Sequence, residues 1–252
     1  MQNEFVKLNI ENKIATIIFY HPKSNSLPSN LLKELKEYFD NLSLNPDVNV
    51  IVLQSEGEKS FCAGASFDEL IEIDNFIDGK EFFMGFARLL NSIRKCKKIV
   101  VGKIIGKVVG GGVGLVSVCD YTFATQDSSL KLSELALGLG PFVVGPPIER
   151  KIGKEAFVEM SLDCEWRSAD WAKQHGFYNE IFDSEIELNE KLNEFTKQLS
   201  QRSSEALTQL KEIYWEGTDH WDELLEQRAE NSGKLVLSDY TKNFIKDFKS
   251  KK

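Results

Sequence analysis

Residues 108–120 read VVGGGVGLVSVCD, and this stretch decides the fold prediction. Its three consecutive glycines, Gly110 to Gly112, follow a strand predicted at residues 99–105 and precede an apolar run of helical length at residues 113–118. Glycine lets the backbone turn without a Cβ and lets a ligand approach main-chain amides closely. Free N–H groups at a helix N-terminus attract negative charge. The stretch therefore predicts a strand–turn–helix unit whose turn is suited to hold an anion.

A second turn of similar chemistry lies upstream, where residues 61–66 read FCAGAS. It follows an apolar strand predicted at residues 50–54 and precedes a helix start at residues 67–71, with Ser66 as the N-cap. The small side chains leave the amide of Ala65 free to point at a ligand. Two such amides, aimed at one oxygen from separate strand-to-helix turns, form an oxyanion hole. Because each glycine-rich turn taken singly more often serves packing, the prediction depends on the pair.

Three segments occur together with a characteristic order and spacing. They are FCAGA at residues 61–65, GKVVGGGVGLVSVCD at residues 106–120 and SELALGL at residues 133–139. In these segments the chain, from residue 5 to roughly its end, resembles the crotonase (enoyl-CoA hydratase/isomerase) superfamily. The resemblance implies an α/β fold with a crotonase-like β-β-α spiral core and a helical C-terminal region. It also implies acyl-CoA thioester substrates, but it does not specify the reaction.

The resemblance assigns roles to particular residues. The amides of Ala65 and Gly111 would form the oxyanion hole, and Glu134 would be the catalytic acid or base. Lys23 and Asn25 lie in a loop that contacts the CoA moiety in the superfamily, although a solvated lysine is an equal reading for Lys23. The remaining substrate contacts that the resemblance implies are Ala63, Gly64, Ser66, Phe67, Gly110 and Phe142. Ser66 stands where the superfamily usually has Asp, and it should cap the following helix about as well.

Glu134 is the carboxylate best suited to chemistry. A carboxylate in an apolar pocket has a raised pKa and exchanges protons near neutral pH. Without the resemblance, a surface glutamate at a turn would be the favoured interpretation. At position 114 the two-glutamate hydratases carry their other glutamate, whereas this chain has Gly114. A single carboxylate suits a 1,3-proton shift better than addition of water, so the sequence slightly favours enoyl-CoA isomerisation. A methylglutaconyl-like hydratase or dehydratase and a non-catalytic acyl-CoA-binding subunit remain alternatives.

Length and composition limit the other classes of function. The 252 residues suffice for one domain with a substantial core, which we divide into a spiral core at residues 1–198 and a C-terminal helical trimerisation region at residues 199–252. The resemblance implies a homotrimer or a dimer of trimers. The net charge of −8 disfavours binding to nucleic acid or to anionic membranes. The lack of an apolar run of about 18 residues or of a secretory signal favours a cytoplasmic protein.

The cysteine and histidine patterns predict neither disulfides nor a metal site. The four cysteines show no CxxC spacing, which favours reduced thiols, and the three histidines are isolated. The glycine run also lacks the features of a P-loop or of a dinucleotide-binding fingerprint. We therefore expect no cofactor beyond the CoA moiety of the substrate.

Hydrophobic periodicity predicts the remaining elements. Residues 5–9 and 14–20 alternate as a β-hairpin, residues 27–42 and 79–93 have helical periodicity, and residues 121–124 form a strand. After the two prolines at 146 and 147 the chain is predicted to be mostly helical. Those helices are predicted at residues 148–162, 168–175, 185–200, 204–215 and 220–237.

Overall fold

The computed structural model describes residues 3–250, with the side chains of residues 3–247. The strands, in chain order, are β1 (Phe5–Glu11), β2 (Ile14–Tyr20), β3 (Val50–Ser55), β4 (Ser60–Cys62), β5 (Ile99–Ile104), β6 (Lys107–Val109), β7 (Tyr121–Thr125), β8 (Leu130–Lys131) and β9 (Glu180–Phe182). The helices are α1 (Ser29–Leu44), α2 (Phe67–Leu70), α3 (Phe76–Lys95), α4 (Gly111–Ser117), α5 (Gly145–Ile152), α6 (Lys154–Asp163), α7 (Ala169–Gln174), α8 (Glu185–Ser200), α9 (Ser204–Tyr214), α10 (Trp221–Leu235) and α11 (Asp239–Ser250). A 3-10 turn occupies Leu135–Leu137.

The predicted hairpin forms between β1 and β2, which pair antiparallel with Glu11 opposite Ile14. Its turn residues, Asn12 and Lys13, have φ angles of 53° and 63°. Two residues with positive φ are what a two-residue turn needs to match the twist of its strands. The carbonyl of Lys13 accepts a hydrogen bond from the amide of Asn49 at 2.9 Å, which holds this turn next to the start of β3.

The rest of the core is a spiral that repeats the order strand, strand, helix. The large sheet has the order β1-β2-β3-β5-β7-β9, and the small sheet has the order β4-β6-β8. From β2 onward all neighbouring strands in the large sheet are parallel, as are those in the small sheet. Each turn runs from the large sheet to the small sheet and then into a helix: β3-β4-α2, β5-β6-α4 and β7-β8-α5. This arrangement confirms the predicted β-β-α spiral.

The C-terminal helices pack back onto the spiral core. At the crossing of α3 and α10, a Cβ on Gly79 would lie only 3.0 Å from the carbonyl oxygen of Gly233. The two helix backbones therefore approach closely because both positions are glycine. This crossing brings Ser232, which is buried, close to the N-terminal part of α3.

Several sequence predictions need correction. The helix predicted at residues 148–162 is two helices, because Gly153 has a φ of 81° and separates α5 from α6. The strands β4, β6, β8 and β9 are absent from the sequence prediction, since each has only two or three residues and shows no periodicity. The boundary after residue 198 falls inside α8, which ends at Ser200. No helix among residues 3–250 is long and apolar enough to cross a membrane.

A buried ion pair joins α9 to the core. Asp120 and Lys211 lie 2.8 Å apart, and both side chains are 3% exposed. Asp120 also accepts hydrogen bonds from the amide of Val100 at 2.7 Å and from the indole N–H of Trp215 at 3.3 Å. This carboxylate therefore holds a core strand and a C-terminal helix together.

Replacing Asp120 with Asn should lower the free energy of unfolding by about 3 kcal/mol, because it leaves the ammonium of Lys211 buried without a counter-charge. Urea denaturation followed by circular dichroism measures the change. The control is Glu194→Gln, which removes the exposed ion pair with Lys191 and should cost less than about 1 kcal/mol. Equal losses in the two variants would contradict the anchoring role of Asp120.

Candidate active site

Three turns of the spiral meet at one edge of the small sheet. The strands β4, β6 and β8 are adjacent and parallel, so their carboxyl ends lie side by side. The residues that follow these ends line one cavity of about 320 Å³. They are Ala63, Gly64 and Ala65 after β4, Gly110 and Gly111 after β6, and Ser133 and Glu134 after β8. The predicted catalytic residues thus come together because of the parallel pairing of three short strands.

The amide of Ala65 is turned away from its neighbouring segment. The N–H of Leu27 donates to the carbonyl of Gly64 at 2.8 Å, and the N–H of Ser66 donates to the carbonyl of Leu27 at 3.3 Å. In extended backbone, successive residues direct their N–H groups to opposite sides. The N–H of Ala65 therefore points away from Leu27, and no hydrogen bond from it occurs within residues 3–250.

The amide of Gly111 lies in the same corner of the cavity. Its nitrogen is 3.0 Å from the point that a Cβ on Gly64 would occupy. Gly64 directly precedes Ala65 and has a φ of 88°, which favours glycine. Gly111 is the first residue of α4, and the N–H groups of a first helical turn have no partner within the helix. This geometry brings the two peptide nitrogens close together, as a shared oxygen would require.

The carboxyl group of Glu134 lies against the turn that carries Gly111. A Cβ on Gly110 would lie 3.3 Å from Oε1 of Glu134. Burial raises the pKa of Glu134 to about 7, although the main-chain N–H groups of Glu134 and Ser133 offset part of the effect. Its Oε2 is buried and has no hydrogen-bond partner among the described residues. A carboxyl group in this state can accept and return a proton near neutral pH.

The rest of the cavity wall is apolar, which explains the raised pKa. Three phenylalanines of α3 contribute to it, namely Phe82, Phe83 and Phe86. The other apolar side chains of the lining are Phe67, Leu70, Leu137, Leu139, Pro141, Phe142, Val143, Val144 and Phe244. Among the lining residues that the structure describes, only Ser133, Glu134 and Ser232 carry polar side chains.

Three residues assigned to substrate binding do not line this cavity. The side chain of Asn25 is buried, and its amide nitrogen donates to the carbonyls of Glu56 at 2.9 Å and Ser60 at 2.8 Å. Its Oδ1 accepts from the N–H of His21 at 2.9 Å. The polar side-chain atoms of Asn25 are therefore occupied by contacts within the protein, and a role for Asn25 in substrate binding remains a prediction.

Ser66 and Lys23 also have other contacts. Ser66 is buried, and its Oγ accepts from the N–H of Glu69 at 3.3 Å, as predicted for the N-cap of α2. That hydroxyl stabilises the turn of Ala65 and is not placed to contact a ligand in the cavity. Lys23 is exposed and forms an ion pair with Asp68 at the surface. A role for Lys23 with the CoA moiety therefore remains a prediction.

The position of Gly114 is closed to any side chain. A Cβ there would lie 2.5 Å from Cγ1 and 2.7 Å from Cβ of Val144. Gly114 is buried inside α4, and Val144 precedes α5. Packing of Val144 thus fills the space into which a second carboxylate would extend. Glu134 is the only acidic side chain among the described lining residues of the cavity.

Cys62, at the end of β4, is not suited to act as a nucleophile. Burial raises the pKa of its thiol to about 12, and its Sγ lies 3.4 Å from the amide nitrogen of Gly64. The thiolate, which is the reactive form, is therefore not populated near neutral pH. No group of residues that could hold a metal ion occurs in the part of the chain that the structure describes.

Among the lining residues that were not predicted from sequence, two lie on the C-terminal helices. Ser232 belongs to α10 and Phe244 to α11, far along the chain from the three turns. No local motif marks either residue. The signal that could have found Ser232 is the adjacent Gly233, because an isolated glycine inside a helical pattern indicates a close backbone approach.

Comparison with known proteins identifies the family of this chain. The family model described as enoyl-CoA hydratase/isomerase matches residues 9–251. A Bacillus subtilis protein named "Probable enoyl-CoA hydratase" is 25% identical over 98% of this chain and 96% of its own length. A peroxisomal Delta(3,5)-Delta(2,4)-dienoyl-CoA isomerase from Arabidopsis thaliana is 25% identical over 83% of this chain and 80% of its own length.

The crystal structure of an enoyl-CoA hydratase from Bacillus halodurans has the same fold, with a TM-score of 0.90, 21% identity and coverage of 96% of this chain and 99% of that one. That of an enoyl-CoA hydratase from Mycobacterium avium gives a TM-score of 0.87 at 25% identity, covering 98% of this chain and 96% of that one. The chain therefore belongs to the enoyl-CoA hydratase/isomerase family of enzymes.

Proposed function

We propose that this enzyme moves the double bond of a 3-enoyl-CoA to the 2-position. The substrate's acyl group occupies the apolar cavity, and its thioester oxygen accepts hydrogen bonds from the amides of Ala65 and Gly111. Glu134, whose Oε1 lies next to Gly110, faces the carbon chain of the thioester. This arrangement requires no group other than the chain's own residues and the substrate.

The reaction is a 1,3-proton shift. Glu134 removes a proton from C2, the electron pair of that C–H bond forms C1=C2, and the pair of the thioester C=O bond moves onto its oxygen to give a dienolate. In the intermediate, the negative charge lies largely on the thioester oxygen, where two amide dipoles stabilise it. The protonated Glu134 then delivers its proton to C4: the C3=C4 pair forms the new C–H bond, the C1=C2 pair forms C2=C3, and the thioester carbonyl is restored. Donors of this kind are typically worth about 10²- to 10³-fold in rate each.

The observation that carries the proposal is the single carboxylate. Addition of water is helped by one group that activates the water and another that protonates carbon, whereas a 1,3-shift needs only one group that does both in turn. Val144 fills the space next to Gly114, so no second acid is present on that side. The apolar lining around Glu134 further supports transfer within the cavity over exchange with water.

Hydration or dehydration of an enoyl-CoA is the second candidate. It is favoured by names among the relatives, since a protein from Clostridium acetobutylicum that is 28% identical over 72% of this chain is named short-chain-enoyl-CoA hydratase. One carboxylate together with an ordered water can perform this chemistry. The two candidates share the oxyanion hole and Glu134, and they differ in the product.

A substrate panel read by mass spectrometry separates the candidates. The purified protein is incubated with 3-enoyl-CoA and 2-enoyl-CoA thioesters in deuterated water. Isomerisation gives a product with the composition of the substrate, which liquid chromatography ahead of the mass spectrometer separates from it, whereas hydration adds the mass of deuterium oxide. We expect the first result. A hydroxyacyl-CoA product would establish the second candidate, and calorimetric binding without turnover would indicate a non-catalytic acyl-CoA-binding subunit.

The pH dependence of kcat/KM should follow the ionisation of the Glu134 carboxyl group. Only the ionised carboxylate can remove the first proton, and the pKa of Glu134 is raised to about 7. The rate should therefore fall about tenfold per pH unit below pH ~7 and level off above it. Initial rates between about pH 5 and about pH 9, with enzyme stability checked at each pH, give the profile. A midpoint near the ordinary glutamate value of 4.5 would contradict the buried state of the base.

We propose a homotrimer, or a dimer of trimers, as the assembly. The support is the family membership of the chain. Light scattering coupled to size-exclusion chromatography measures the molar mass directly, and a monomer at micromolar concentration would contradict this proposal.

A further inference from the structure

A second apolar cavity, of about 270 Å³, lies beside the active-site cavity. It is formed mainly by α5 and α6 and by the segment that enters α5. Its lining residues are Pro141, Phe142, Gly145, Pro146, Glu149, Phe157, Val158, Ser161, Leu162 and Arg228. The two charged members, Glu149 and Arg228, are exposed. The hydroxyl of Ser161 donates to the carbonyl of Phe157 at 2.7 Å, and the other lining residues are apolar or glycine.

The two cavities share one wall. Among the described residues, Pro141 and Phe142 are the only ones that line both. Gly140, Val143 and Val144 line the active-site cavity alone, whereas Gly145 and Pro146 line the second cavity alone. The segment 140–146 is therefore a partition, and Phe142 is its largest side chain.

The backbone holds the ring of Phe142 in the partition. The N–H of Phe142 donates to the carbonyl of Gly140 at 2.7 Å, which closes a tight turn around Pro141. A Cβ on Gly140 would lie 2.5 Å from Cζ of Phe142, so the ring lies directly over the Cα of Gly140. Glycine at position 140 is what allows this placement, and any other residue there would displace the ring.

We infer that Phe142 is a specificity-determining residue that limits the length of the acyl chain. With the ring in place, the acyl group is confined to the active-site cavity of about 320 Å³. Without the ring, the two cavities become continuous, and the distal methylenes of a longer chain pass into the space lined by Phe157 and Val158. The inference rests on the proposed function, because it identifies the occupant as the acyl chain of a CoA thioester.

The test compares chain-length profiles of the wild type and Phe142→Ala. The substrates are trans-3-hexenoyl-CoA and trans-3-dodecenoyl-CoA, and the measured quantity is the ratio of their kcat/KM values. We expect the ratio of dodecenoyl to hexenoyl to rise at least about tenfold in the variant, since each methylene accommodated in an apolar pocket is worth roughly tenfold or more. An unchanged ratio would overturn the inference.

Two further variants test whether the change in the ratio comes from opening the partition at Phe142 or from looser packing of the whole site. Gly140→Ala leaves Phe142 intact but displaces its ring, and it should shift the ratio in the same direction. Val158→Phe fills the second cavity from α6, where Val158 is 38% exposed and tolerates a larger side chain. In the Phe142→Ala background, Val158→Phe should cancel the gain. A gain that persists in this double variant would overturn the role of the second cavity.

Calorimetric binding of saturated hexanoyl-CoA and dodecanoyl-CoA gives a readout that does not depend on turnover. Saturated chains cannot isomerise, so a shift in their Kd ratio in Phe142→Ala supports the inference even if the reaction is hydration. If Phe142→Ala does not fold, Phe142→Leu replaces it in the same measurements. Failure of the wild type to bind any acyl-CoA would overturn both the proposed function and this inference, whereas normal binding with an unchanged ratio would overturn this inference alone.

Discussion

Replacing Glu134 with Gln should reduce turnover of 3-enoyl-CoA by about 10²- to 10⁴-fold while acyl-CoA binding persists. The glutamine side chain keeps the size of glutamate and its place beside Gly110, but its amide can neither take a proton from C2 nor deliver one to C4. Steady-state kinetics gives kcat, and calorimetry with a saturated acyl-CoA gives Kd. Undiminished kcat in this variant would refute the assignment of Glu134 as the acid and base.

Thermal unfolding of the same variant gives an independent readout. Burial raises the pKa of Glu134 to about 7, so the folded protein holds this proton more tightly than the unfolded chain does. Between about pH 4.5 and about pH 7 the unfolded chain ionises this carboxyl group while the folded protein keeps it protonated, so stability falls progressively over this range and the loss is complete above pH ~7. Glutamine carries no such cost. Glu134→Gln should therefore have a higher Tm than the wild type at about pH 8, and the difference should vanish below about pH 4.5.

The matched control is Glu165→Gln, because Glu165 is an exposed glutamate outside the cavity lining. It should keep the activity of the wild type. If Glu134→Gln and Glu165→Gln behaved alike in both assays, the buried state of Glu134 would be contradicted.

Replacing Gly111 with Ala should lower kcat/KM by about 10²- to 10³-fold, the usual effect of losing one oxyanion donor. The added Cβ would lie 2.5 Å from Cζ and 2.7 Å from Cε1 of Phe86. Phe86 is 5% exposed and packed in the core, so the turn must shift and carry the amide away from its position. Kinetics with the best substrate of the panel measures the effect, and circular dichroism verifies the fold.

Two control variants test whether the loss of rate comes from the clash between residue 111 and Phe86. Gly85→Ala lies on the same helix as Phe86, and its Cβ would meet only the flexible end of Leu32 at 3.0 Å, so activity should be retained. Combining Gly111→Ala with Phe86→Leu relieves the clash and should recover part of the lost rate. A folded Gly111→Ala variant with the kcat/KM of the wild type would contradict an oxyanion hole at this turn.

Much of the fold could be predicted from the sequence because its signals are local. Alternation gave the hairpin of β1 and β2, and the capping pattern gave Ser66 at the start of α2. The glycine run gave the turn into α4, where Gly110 has a φ of 53°. Each of these features depends on residues that are close in sequence.

The remaining features depend on contacts between distant segments. The strands of the small sheet are too short to show a periodicity, yet their parallel pairing is what brings Ala65, Gly111 and Glu134 to one edge. Asn25 lies in a loop that the sequence predicts to bind ligand, but its side-chain amide donates hydrogen bonds to the main-chain carbonyls of Glu56 and Ser60, which are distant in sequence. Residues of α10 and α11 reach the cavity only because the C-terminal helices fold back onto it.

The absence of a glutamate at position 114 could be seen in the sequence, but its consequence could not. A glycine there is compatible with an open space that an ordered water fills. The structure instead has Val144 at 2.5 Å from the position of a Cβ on Gly114. Val144 therefore closes the space beside Gly114, and the proposed proton transfers depend on Glu134 alone.

Transfer of deuterium within one substrate molecule tests the role of this single carboxylate most directly. A 3-enoyl-CoA with two deuterium atoms at C2 is converted in ordinary water, and the early product is analysed by mass spectrometry and NMR. Because Glu134 carries the isotope from C2 to C4 inside an apolar cavity, the account predicts a 2-enoyl-CoA in which deuterium appears at C4. A product whose C4 hydrogen comes entirely from water would contradict it, since another group or the solvent would then deliver the second proton.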